Sequence, residues 1–72
     1  MDRTVEDLVR IAHAGGGLKL DGANISVDAL ARIAHAAKHK GARIVVINSS
    51  HFATDQLMRI GHAGGGCVIF ED

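Results

Sequence analysis

The sequence predicts an α/β fold, a short right-handed solenoid of three helix-strand repeats with a three-stranded parallel sheet and the helices on one face. Three observations predict it. One heptapeptide occurs three times, as Leu8-Val9-Arg10-Ile11-Ala12-His13-Ala14, Leu30-Ala31-Arg32-Ile33-Ala34-His35-Ala36 and Leu57-Met58-Arg59-Ile60-Gly61-His62-Ala63. Each copy has helical periodicity and leads through glycine into a short apolar run. Strands joined by helices run parallel with right-handed crossovers, and identical connections place the helices on one face.

The first unit predicts a helix over 4–14 and a strand over 18–21. Thr4 can cap the helix through its side-chain oxygen, and Leu8, Ile11 and Ala12 share one face. The second unit predicts a helix over 26–39, capped by Ser26, and a strand over 43–48. Leu30, Ile33, Ala34 and Ala37 form its apolar face, and Ala36 to Gly41 add about one turn. The third predicts a helix over 54–63 and a strand over 67–70, with Leu57, Ile60 and Gly61 on the same face. Its cap slot holds Ala53, so Thr54 or a shifted start must serve. The pairs Glu6/Arg10, Asp28/Arg32 and Asp55/Arg59 have the i,i+4 order that supports a helix and suits its dipole. Residues 18–28 align without a gap on 45–55, which sets Leu18 against Val45 and Cys67. The units fall at roughly 1–22, 23–49 and 50–72 of a single domain.

Seventy-two residues support one modest core, and folds of this size usually need a staple. The single cysteine excludes an internal disulfide and metal-finger spacing is missing, which leaves oligomerisation. Eight basic and eight acidic residues cancel, and two phenylalanines with no Trp or Tyr make a poor stacking surface. Nucleic acid is therefore not an expected partner. The start, Met1 to Asp7, lacks the apolar run of a signal peptide, and no apolar stretch would span a bilayer. A cytoplasmic location without membrane contact is expected.

Candidate chemistry is sparse. The glycine triplets 15–17 and 64–66 follow helices and precede strands, the reverse of a phosphate loop, and read as helix ends. His13, His35 and His62 recur at one repeat position, opposite the leucine face, and His35/His39 has i,i+4 spacing. No acid or thiol shares their position, so no metal is expected. Cys67 reads as a small buried strand residue. Ser49, Ser50 and His51 lie near Asp55, but sequence neighbours do not make a triad, and turn chemistry accounts for them. The best small-ligand candidates are Asp21, Asn24, Asn48, Ser50 and His51, in loops at the strands' carboxyl ends.

Three resemblances follow from these motifs. Leu18-x-Leu20-x-x-Ala23-x-Ile25 and Val45-x-Ile47-x-x-Ser50-x-Phe52 resemble a leucine-rich repeat with a helical return. Ser26-Val27-Asp28-Ala29-Leu30-Ala31-Arg32-Ile33-Ala34 and Ala53-Thr54-Asp55-Gln56-Leu57-Met58-Arg59-Ile60-Gly61 resemble the copies of a group of small bacterial repeat proteins. Some of that group are labelled limonene hydroxylase. Alkene hydroxylation needs haem, flavin or non-haem iron, for which the sequence offers no matching site. Over 18–72, Leu18-x-Leu20-Asp21, Asp28, Gly41 to Asn48 and Phe70-Glu71-Asp72 resemble a STAS domain, which implies a regulatory role. Ala29 stands where that family has its phosphorylatable serine.

The expectation is a non-enzymatic self-assembling or protein-interaction module without a cofactor. Its partner is itself, with another protein as a further possibility. The alternatives are a small-ligand-binding protein or enzyme using loops 21–24 and 48–51, and a STAS-like regulator. Helix one matches the interior helix and no polar capping repeat is visible, so both sheet edges are expected to be open. Val68, Ile69 and Phe70 are the expected self-association residues. From Leu18 to Ser26 is eight residues, and from Cys67 through a second molecule's Met1 to its Thr4 is nine. A second copy would thus nearly continue the repeat, giving a ring or filament, with a two-fold dimer as the competing form.

Overall fold

A computed structural model describes residues 4–72, so the start read above, Met1 to Arg3, lies outside the described residues. The chain runs α1 (Val5–His13), β1 (Leu18–Asp21), α2 (Val27–Lys40), β2 (Ile44–Ile47), a 3-10 turn (Ser49–His51), α3 (Thr54–Gly64) and β3 (Val68–Phe70). The α/β class and the three helices and strands agree with expectation, with boundaries within one residue. No described helix is long and apolar enough to cross a membrane.

The caps explain where the helices begin and end. Asp7 N–H donates to Thr4 Oγ1 at 3.2 Å, and Ala29 N–H donates to Ser26 Oγ at 3.2 Å. Each bond satisfies a main-chain donor that the first turn leaves free. In α3 the cap stays at Ala53, neither moved nor taken over by Thr54. Gln56 reaches back, and its Oε1 accepts from Ala53 N–H at 2.8 Å, the half of a capping box that an alanine cap leaves possible. Gly41, at φ 67°, closes α2 in the left-handed conformation that glycine adopts without a steric cost.

The sheet is parallel, in the order β1-β2-β3. Leu18 pairs with Ile44 and Ile44 with Val68, so the gapless alignment of Leu18 with Val45 and Cys67 is one residue out. A slip of one would turn every strand side chain to the other face. The structure avoids it by spending the extra residue in the 3-10 turn before α3.

One face of the sheet carries Leu18, Leu20, Ile44 and Val46. These pack with Leu8 and Ala12 of α1, Leu30, Ile33, Ala34 and Ala37 of α2, and Ile60 of α3 as one core. The opposite face presents the row Lys19, Val45 and Ile69, exposed or half-buried. Leu57 departs from its expected role. Its repeat partners Leu8 and Leu30 are buried, but Leu57 is only half-buried, because β3 is an edge strand and no described element packs beyond it.

The expected ion pairs also change partners. Arg32 Nη2 lies 2.8 Å from Glu6 Oε1, and Arg59 Nη2 lies 2.6 Å from Asp28 Oδ1. Both bridges join neighbouring helices rather than successive turns of one helix. Side-by-side packing of α1 with α2 and of α2 with α3 brings the acid of one repeat to the arginine of the next.

Candidate functional site

The loops at the carboxyl ends of β1 and β2 meet at Asp21. Its Oδ1 accepts from Asn48 Nδ2 at 2.8 Å and from Ala23 N–H at 2.9 Å, and its Oδ2 accepts from Asn24 Nδ2 at 3.0 Å. The Asn48 bond, followed by the Ala23 bond, holds the Asp21 carboxyl below its ordinary pKa by favouring the charged form. Asn48 sits at φ 57°, a conformation its short amide tolerates, and this aims the side chain at Asp21. Gly22 N–H donates to Ile47 O at 2.9 Å and completes the junction. Three of the expected ligand residues, Asp21, Asn24 and Asn48, therefore bind one another and hold two loops together.

Beside this junction lies an open depression of ≈ 650 Å³, lined by Gly22, Asn24, Ser26, His51, Phe52 and Gln56 among others. Asn24 and His51 belong to it. Ser50 is exposed on the 3-10 turn and does not line it. Phe52 and Gln56 were not anticipated. Phe52 packs against the core, and Gln56 was legible only as the glutamine three residues after an alanine cap. Ser49 is buried and donates its hydroxyl to Val46 O at 2.8 Å, and the His51 ring stands edge-on to Phe52 at 5.7 Å.

The histidines do not form a ladder along the repeat. His13 stacks on His39, with centroids 6.2 Å apart, and His35 meets His39 edge-on at 5.0 Å. The extra turn of α2 carries His39, rather than His35, to the level of His13. Among the described residues no group of three or more His, Cys, Asp or Glu is placed to hold a metal ion. Cys67 is half-buried, with Sγ 4.0 Å from Ala37 O.

The sheet edges are the other candidate. Leu18 and Gly22 donate to Arg43 O and Ile47 O, so the main-chain groups of Lys19 and Asp21 point away from β2. On the other side, Cys67 O accepts from Ile44 N–H and Glu71 N–H donates to Val46 O. The main-chain groups of Val68 and Phe70 therefore point outward. Of the expected self-association residues, Val68 and Phe70 turn their side chains toward the core, and Ile69 lies on the uncovered face, 39% exposed. On α3, Met58 is 68% exposed. No protein-family model, curated protein or solved structure significantly matches this chain.

Proposed function

We propose that this chain is a non-enzymatic self-assembly module, a short right-handed α/β solenoid that pairs its open ends with further copies of itself. The unfinished core at the β3 end carries the reading. Leu30 is 1% exposed and Val46 0%, yet their repeat counterparts Leu57 and Phe70 remain half-buried, and Met58 is largely bare. Burying such apolar surface on another copy contributes roughly 25 cal/mol per Å². The two outward-facing main-chain edges offer hydrogen bonds in the same direction. The likeness of the repeated segments to small bacterial repeat proteins fits this reading, and a cytoplasmic location is proposed with it.

The test is solution mass by light scattering across a concentration series. A mass that climbs with concentration supports assembly. A chain that stays monomeric at millimolar concentration defeats it.

The depression at Asn24 and His51 favours a second reading, the binding of a small polar ligand at the strand ends. A ligand-induced rise in Tm that is lost in Asn24→Ala and His51→Ala would support it.

A further inference from the structure

We infer that the chain associates head to tail, with Asp55 and Met58 on one copy's α3 meeting Arg10 and the Ile11–Ala14 hollow on the next copy's α1. This rests on the self-assembly reading and names the contact it uses.

The bridges between helices follow one rule. Glu6 of the first repeat binds Arg32 of the second, and Asp28 of the second binds Arg59 of the third. Glu6, Asp28 and Asp55 occupy one repeat position, and Arg10, Arg32 and Arg59 another. Continuing the rule leaves two residues over, Asp55 at the tail and Arg10 at the head. Neither has an ion-pair partner among the described residues. A second copy added at the tail would supply Arg10 to Asp55.

The apolar surface follows the same rule. The flank of α2 turned toward α1 carries Arg32, Ile33 and Ala36, and the flank turned toward α3 carries Asp28, Ala31 and Lys38. Lys38 lies against Gly65 at the end of α3, and Asp28 bridges to Arg59. The residue at Ala31's position on α1 is Val9, which packs against the core, and on α3 it is Met58, which meets solvent. At Ile33's position, Ile33 and Ile60 are 0% exposed, but Ile11 on α1 is only half-buried. At Ala36's position, Ala36 is buried and Ala14 is exposed. Asp7, Arg10, Ile11 and Ala14 surround an open depression of ≈ 420 Å³. Met58 is thus an unhoused knob on the flank that each earlier helix packs on its successor, and the hollow at Ile11 and Ala14 lies on the flank that each later helix packs on its predecessor. The docked helices would bring the outward main chain of Val68 and Phe70 beside that of Lys19 and Asp21, which extends the parallel sheet. Such a contact is heterologous and repeats from copy to copy.

The experiment uses Asp55→Arg, Arg10→Asp, the double variant and Met58→Glu, with mass measured by light scattering at low and high salt. Circular dichroism should be unchanged, because the altered side chains are solvent-facing and, among the described residues, lack ion-pair partners. Each single charge reversal should weaken association about tenfold or more, and Met58→Glu should abolish it. The double variant should recover association, and so should an equimolar mixture of the two single charge variants, since reversed ends then meet complementary ones. If the wild type associates and the charge variants associate equally well, this contact is wrong while the assembly reading stands. Weakened single variants that fail to recover on mixing would also overturn it. A wild type that stays monomeric at millimolar concentration overturns both.

Discussion

Glu6 bonds Arg32 on the neighbouring helix at 2.8 Å, although Arg10 stands one turn along its own helix. Both partners are more than half exposed, so the bridge tunes the seam between α1 and α2 rather than holding it. A double-mutant cycle on Glu6 and Arg32 should give a coupling of about 0.2–1 kcal/mol that fades in molar salt. The same cycle on Glu6 and Arg10 should give a value near zero. Larger coupling to Arg10 would restore the pairing within one helix.

Leu30 sits at the centre of the core and is 1% exposed, whereas His35 is on the solvent side of the same helix. Leu30→Ala should cost about 2–5 kcal/mol through lost burial and the cavity left behind. His35→Ala should cost under ~1 kcal/mol. Urea melts that reverse this order would show that the helix faces are misassigned.

Gly22 has no room for a methyl group. A Cβ there would lie 2.7 Å from a ring carbon of Phe52 and 3.0 Å from Ile47 O. Gly41 differs, since the space around it is open and only its φ of 67° opposes a side chain. Gly22→Ala should therefore cost about 1–3 kcal/mol by overpacking, and Gly41→Ala about 1 kcal/mol by backbone strain. Equal thermal shifts would argue against close packing at Gly22.

The Asp21 carboxyl titrates below its ordinary value in the folded chain, chiefly through Asn48. A depressed native pKa stabilises the fold above the unfolded-state pKa, and the contribution is lost as the pH falls through the native one. Asn48→Gly removes the hydrogen bond without straining φ. Its Tm deficit should be widest near neutral pH and shrink on acidification through and below the ordinary carboxylate range. A deficit that stays constant with pH would show that Asn48 does not act through the Asp21 charge.

Protein purified without a His-tag should carry no stoichiometric zinc, nickel or iron. His13, His35 and His39 approach one another, but among the described residues no group of three or more His, Cys, Asp or Glu is placed to hold a metal ion. Stoichiometric metal in elemental analysis would overturn this expectation.

The sequence by itself determined the local structure. Thr4 and Ser26 marked helix starts, glycines marked the ends, and the Leu-x-x-Ile spacing named the buried stripe of α2 and the core-facing side of α1, where Leu8 is buried and Ile11 half-buried. These signals act over one or two turns, so the sequence local to each helix carries them in full. The strand-end loops were also legible, because Asp, Asn and Gly have turn chemistry of their own. Only the tertiary structure decided the strand register, since a slip of one residue is almost silent in an apolar run but exchanges the two faces of the sheet. It also decided that Asp21 holds two loops together, and that Arg32 and Arg59 each pair with the acid of the preceding repeat. Those choices depend on distances between segments 26 to 31 residues apart along the chain, which side-by-side packing of the helices sets and no local pattern encodes.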